Sequence, residues 1–299
     1  MLPEFPKFKS IEISDQEDVE EITRKFPPYS DFNFVSMWSW DIKEEMRLSV
    51  LNGNLIVRFT DYITKEPFFS FIGADKAEET ARELISFSEK NYNKNLLRLV
   101  PEEVANNLAR SDFNLILDQD AFDYVYSVPH LSNMHKWPKH SSSKNVRSFS
   151  KLYPNYIVKR QSIKNALQDE YTKMFKKWAD NKGIEGCLEL NEYKAVERIF
   201  QLKRDNINIV SLYVGSVLIG FTIYEILSSE YAISHFAKAD IGFHKATNDV
   251  LNWEEAKILN SRGVKYFNWE QDLGITGLRQ SKKKYEHSAF LKKFTVSLK

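Results

Sequence analysis

The stretch from Asn268 to Tyr285, NWEQDLGITGLRQSKKKY, gathers what a group-transfer reaction needs. A short apolar run, Val264 to Phe267, delivers the chain to Glu270 and Asp272. These two acids alternate about Gln271, so at a strand end they share one face. Gly274 and Gly277 then break the backbone, and Arg279, Lys282, Lys283 and Lys284 follow. A carboxylate held at a strand end can take a proton. Arginine beside it can grip a phosphate or carboxylate bidentately, and lysine as a point charge. The same residues admit a structural role, with Asp272 and Arg279 bracing the glycine turn as an ion pair and the lysines solvated.

Other residues add to this set. His235 lies in the apolar run Tyr231 to Ala237, on the face of Ile233. Imidazole suits base work near neutral pH, and a core histidine is the bland reading. Lys238, Gly242, His244, Lys245 and Thr247 surround the start of a helix expected over about Thr247 to Asn260. A helix N-terminus offers unpaired N–H donors and a partial positive charge, and a glycine lets the backbone approach an anion. Lys144 and Arg147 belong to a stretch, residues 135 to 160, with seven basic and no acidic side chains. Trp38 and Trp40, two apart, are expected on one side of a strand and in a core. Six histidines without paired spacing give no metal site.

Composition bounds the rest. The 299 residues suggest two domains, and 42% apolar with 14% aromatic residues is ample for two cores. Net charge is +1, so no global field points to DNA. Charge is uneven, however: residues 1 to 70 carry −5, and residues 262 to 299 carry +6. The basic segments suit an anionic small molecule, a tRNA or lipid headgroups at a membrane surface. One cysteine, Cys187, excludes an intrachain disulfide, fits a cytoplasmic protein and is expected as a core filler. No apolar run approaches the ~20 residues of a membrane helix.

All nine prolines lie at or before Pro154, and eight of ten glycines lie after residue 180. This shift predicts a domain over 1–135, a basic, serine-rich connection over 136–155, and a second domain over 156–299. In the first, Asn52-Gly53 between apolar runs predicts a hairpin. A third strand, a helix, a strand, a Pro101-started helix and a strand over Asp123 to Val128 follow. The second domain reads as a strand, two helices, three strands, a helix ending at Arg262-Gly263, and the strand Val264 to Trp269. The fold class is α+β, a mixed sheet with flanking helices, and the two halves have similar element orders.

That order in the second half resembles a GNAT acyltransferase domain. Ser30-Asp31-Phe32-Asn33-Phe34, Met37-Trp38-Ser39-Trp40-Asp41 and Asn268-Trp269-Glu270-Gln271-Asp272-Leu273-Gly274 with Gly277-Leu278-Arg279 and Lys282 resemble a narrower bacterial group. That group is a tandem-GNAT family of undefined function, grouped with the C-terminal domain of phosphatidylglycerol lysyltransferases. The resemblance implies two tandem GNAT-like domains and an acyl- or aminoacyltransferase. It also implies an acyl-CoA or aminoacyl-tRNA donor rather than a tightly bound cofactor, and an amine or hydroxyl acceptor. The donor would sit along Lys238 to Thr247, where strands four and five part, under Glu270 and Asp272. The loop Lys238 to Ala246 lacks the family's usual glutamine or arginine followed by two glycines. The run Lys139 to Phe149 has serine where relatives are basic. Both departures support a rival expectation: a non-catalytic GNAT-fold module that binds a nucleotide, a tRNA end or a peptide.

Overall fold

The computed structural model describes residues 1–61, 64–182 and 187–299, and the side chains of all these except 180–182 and 187–190. The expected role of the Cys187 side chain therefore lies outside the described residues. In chain order the elements begin β1 (Lys9–Ser10), α1 (Gln16–Thr23), α2 (Phe34–Trp40), β2 (Arg47–Leu51), β3 (Asn54–Thr60), β4 (Pro67–Ile72) and α3 (Ala77–Tyr92). They continue with β5 (Leu96–Pro101), α4 (Glu102–Ala105), β6 (Phe113–Leu117), β7 (Asp123–Ser127), α5 (Val128–Ser132), α6 (Ser141–Leu152) and β8 (Ile157–Ser162). Then come α7 (Gln168–Lys182), α8 (Cys187–Ile199), β9 (Ile207–Val214), β10 (Val217–Ile226), β11 (Tyr231–Ala239) and α9 (Thr247–Ser261). The last are β12 (Tyr266–Asn268), α10 (Thr276–Lys283), β13 (Ala289–Leu291) and β14 (Lys293–Leu298).

The chain forms two compact units. One is Met1–Tyr124 with Gln271–Ser281 and Phe290–Lys299; the other is Val125–Glu270 with Lys282–Ala289. The sequence puts the boundary at 135 and gives the whole C-terminus to the second half. The observed division falls at Tyr124, and the C-terminal segment joins the first unit because β14 returns to pair between β5 and β6. Residues 136–155, expected as a connection, fold mainly as α6, whose Val146 and Phe149 are buried.

In the first unit, β1-β2-β3-β4 form one sheet and β5-β14-β6 another. Asn52 and Gly53 both take positive φ, and Leu51 pairs with Asn54, which gives the two-residue hairpin expected. The core of this unit joins Ile56, Phe69 and Phe71 to Leu84 and Ile85 of α3, and to Leu97, Phe113 and Phe294. Trp38 and Trp40, expected on a strand, lie on α2. Asn33 caps that helix by accepting a hydrogen bond from the Ser36 amide at 2.9 Å.

The second unit is built on the mixed sheet ordered β13-β7-β12-β11-β10-β9-β8. Strands β8 to β11 are antiparallel, and β11 pairs with β12 in parallel. Helices cover both faces. Tyr171 of α7 meets Phe221 at 5.2 Å between ring centroids. On the opposite face Leu251 of α9 lies over Gly220, where an added Cβ would come within 3.3 Å of it. Glycine at this point lets α9 pack close to β10. No helix among the described residues is long and apolar enough to cross a membrane.

Thr222 and Tyr224 follow Gly220 on β10, and buried Glu255 of α9 has both as neighbours. Burial pushes its carboxyl up from 4.5 to about 8, against a smaller downward pull from Thr222. The folded protein thus keeps a proton that the unfolded chain releases near pH 4.5, and stability falls as pH rises toward 8. A Glu255→Gln variant lacks this linkage. Wild-type stability relative to the variant is expected to decline by about 1.4 kcal/mol per pH unit in the middle of that window. Urea unfolding of both proteins at several pH values measures the difference. Parallel stability-against-pH curves would mean that Glu255 is ionised in the fold.

Candidate active site

Strands β11 and β12 pair only from Tyr231 with Tyr266 to Ile233 with Asn268. β12 then ends, while β11 runs on to Ala239 beside β10. From Ser234 onward the two parallel strands share no ladder. His235 stands at this point. Ile223 pairs with Phe236 and Tyr224 with Ser234, so His235 is the extra residue of a β-bulge in β11. A bulge re-aims the side chain it carries and is common beside active sites.

The His235 side chain is fully buried between two carboxylates. Its Nε2 is 3.7 Å from Glu225 Oε2, and its Nδ1 is 3.7 Å from Glu270 Oε1. Burial alone would push the imidazole pKa down, but Glu225 and Glu270 outweigh it and raise it above the ordinary histidine value. Glu225, on β10, is itself buried. Its Oε1 accepts from Asn206 Nδ2 at 2.8 Å and lies 3.5 Å from Arg204 Nη1. Glu270 is the member open to solvent, with 19% of its side chain exposed.

The backbone at Glu270 is held in place. Its φ is +57°, a left-handed conformation that costs a non-glycine residue roughly 1 kcal/mol or more. Its amide donates to Asn268 Oδ1 at 2.7 Å. Buried Lys282 donates from Nζ to the Trp269 carbonyl and, at 3.0 Å, to the Glu270 carbonyl. The Lys282 carbonyl in turn accepts from Tyr126 Oη at 2.7 Å. Lys282, expected as an anion ligand, thus spends its charge on the turn that presents Glu270.

Asp272 and Arg279 belong to the first unit and follow the bracing alternative. Asp272 is 1% exposed and takes Arg279 bidentately, with Nε to Oδ2 and Nη2 to Oδ1 both 2.8 Å. It also accepts from Tyr124 Oη at 2.7 Å and from the Gly274 amide at 2.9 Å. Burial would raise its pKa, but Arg279 and Tyr124 hold it below the usual value. Arg279 adds Asp120 at 2.5 Å. This carboxylate is engaged by four donors, which suits a brace and not a base.

The helix mouth is largely self-satisfied. The Phe243 amide donates to Asp240 Oδ1 at 2.9 Å, and the Ala246 amide to His244 Nδ1 at 3.1 Å. The amide and hydroxyl of Thr247 both donate to the His244 carbonyl, at 3.0 and 2.6 Å. Two residues on, buried Asp249 accepts from Asn145 and Lys284 at 2.6 Å and from Tyr285 at 2.7 Å. The first turn of α9 therefore carries its own anion where the sequence expects a phosphate. Gly242 and Lys245 are exposed on this loop. Lys238 stacks 4.0 Å over the Trp178 ring and pairs with Glu192 at 2.7 Å. Lys144 is exposed on α6, while Arg147 there donates to the His135 carbonyl at 2.8 Å.

Of the residues expected at the site, His235 and Glu270 face each other where β11 and β12 stop pairing, Asp272 takes Arg279 instead, and His235 is joined by Glu225, which sequence reasoning missed. Its signal was a lone acid closing the apolar strand Val217–Ile226.

Comparison with known proteins adds a family. A search of curated proteins finds no match. Among solved structures, a conserved protein of unknown function from Bacteroides thetaiotaomicron shares 22% identity at a TM-score of 0.83, with both chains covered in full. L-PGS from Bacillus licheniformis shares 11% identity at a TM-score of 0.62, over 99% of this chain and 93% of that one. FemX shares 9% at a TM-score of 0.60, over 97% of this chain and 96% of that one. These likenesses are of fold. Residues 23–297 match the sequence profile described as phosphatidylglycerol lysyltransferase, C-terminal, and the chain belongs to that family.

Proposed function

We propose that this protein moves an aminoacyl group from an activated ester, such as an aminoacyl-tRNA, to an amine or hydroxyl acceptor, with Glu270 as the proton acceptor. The observation that carries the reading is the Glu225–His235–Glu270 trio at the point where β11 and β12 stop pairing. Attack by the acceptor on the ester carbonyl forms the new bond to carbon, and the acceptor's proton passes to Glu270. Collapse of the tetrahedral species breaks the ester C–O bond, and that proton leaves with the departing hydroxyl. His235 stands behind Glu270, with Nδ1 3.7 Å from its Oε1.

An ester donor fits the α9 mouth better than a coenzyme A thioester, since a pyrophosphate there would meet Asp249 and amides that already have acceptors. The largely self-satisfied mouth and the closed Asp272–Arg279 pair also favour a second reading, a module that binds a tRNA end, a nucleotide or a peptide without turnover. The test is transfer of a labelled amino acid from a panel of aminoacyl-tRNAs, with acyl-CoA donors in parallel. Acceptors are amines and vesicles containing phosphatidylglycerol. Label in the acceptor from aminoacyl-tRNA alone is the expected result. Tight binding of the donor with no label transferred under any condition would favour the module, and transfer from acyl-CoA would overturn the donor assignment.

A further inference from the structure

Glu225 has no motif around it, yet it is the more deeply buried of the two carboxylates that flank His235. A buried carboxylate is costly unless something compensates it. Arg204 at 3.5 Å and Asn206 at 2.8 Å hold one oxygen of Glu225, and the other lies 3.7 Å from the imidazole Nε2. The bulge matters here. With one residue extra in β11 at His235, the ring is set off from the regular alternation of the strand and lies between β10 and the end of β12. Among the described residues, Glu225 from β10 and Glu270 beyond β12 face it, and Arg204 stands behind Glu225.

We propose that Glu225 is a positioning residue: anchored by Arg204 and Asn206, it fixes the His235 imidazole as a cation turned toward the Glu270 carboxylate. The inference builds on the reading of Glu270 as proton acceptor and adds what stands behind it. One cation between two carboxylates offsets the like charges of Glu225 and Glu270. It also gives the ring one orientation, because each nitrogen faces its own acid.

The test reads the histidine directly. His235 Cε1 is followed by NMR through a pH titration, and its signal is assigned by its loss in His235→Asn. The wild-type midpoint is expected above the ordinary imidazole value of about 6.5. Glu225→Gln should lower it by about one pH unit or more, and Glu225→Asp by less. Glu225→Gln should also reduce turnover with little change in KM, and Glu225→Asp should restore part of it.

A wild-type midpoint at or below the ordinary value overturns the proposal with no variant needed, so a poorly folding Glu225→Gln does not shield it. So does a midpoint that Glu225→Gln leaves in place. If the midpoint moves as expected but no donor transfers its acyl group, the positioning role stands and the transferase reading falls. If transfer occurs and the midpoint is indifferent to Glu225, the reverse holds.

Discussion

A Lys293→Met variant is expected to lose about 3–5 kcal/mol of stability, the usual result of removing one partner from a buried charge cluster. Lys293 begins β14 and is fully buried. Its Nζ bonds Asp31, Asp123 Oδ1 at 2.7 Å and Gln271 Oε1 at 2.9 Å, with Ser30 Oγ at 3.4 Å. Burial alone would lower the lysine pKa, but Asp123 and Asp31 outweigh it and raise it. Asp31 moves the other way from an ordinary exposed aspartate. Burial raises its pKa, and Lys293 only partly offsets this. Methionine keeps the unbranched stem, one atom shorter, and deletes the charge, which leaves Asp31 and Asp123 without their cation. Typical domain stability is about 5–15 kcal/mol, so the loss is a large share of the total. Urea unfolding measures it. Adding Asp31→Asn and Asp123→Asn to Lys293→Met is expected to recover much of the loss, since neutral groups remove the uncompensated charge. A loss below about 1 kcal/mol for the single variant would contradict this account.

The same cluster explains what the two family motifs do in this chain. Ser30 and Asp31 come from one, and Gln271 from the other. Ser30 Oγ donates to Gln271 Oε1 at 3.0 Å, and Gln271 Nε2 donates to Asp31 Oδ1 at 3.3 Å. The motifs were legible as sequence, but this meeting was not, because it depends on Lys293 and Asp123, which carry no local signal. Separation in sequence also hid β14: it reads as tail until β5 and β6, almost two hundred residues earlier, receive it. By contrast, the Asn52-Gly53 hairpin and the stop of α9 at Arg262-Gly263 rest on local backbone preference and could be read directly. Helix α2 was misread because two tryptophans two residues apart mimic a strand face, whereas the Asn33 cap decides the matter. At the candidate site, the alternation that put Glu270 and Asp272 on one face fails. Glu270 and Leu273 both take positive φ, so the chain turns and sends Glu270 toward His235 and Asp272 to Arg279.

That parting of the two acids makes their amide substitutions diverge. Glu270→Gln is expected to cut aminoacyl transfer by about 10²–10⁴-fold, the usual scale of a lost general base, while leaving the fold intact. The side chain is partly exposed, and the turn that presents it is held through the Asn268 side chain and the Glu270 carbonyl, none of which glutamine changes. Glutamine keeps the size and the hydrogen-bonding reach but cannot take the acceptor's proton. Asp272→Asn should behave in the opposite way. It puts an NH2 in place of an oxygen that accepts from Arg279, Tyr124 or Gly274, so it should lower stability in proportion to that lost acceptor and reduce transfer only as folded protein is lost. Transfer rates normalised to the folded fraction, with urea midpoints for both variants, separate the two effects. A Glu270→Gln protein that transfers at the wild-type rate would remove this carboxylate from the chemistry. A folded Asp272→Asn protein with the larger loss of rate would move the chemistry to the first unit.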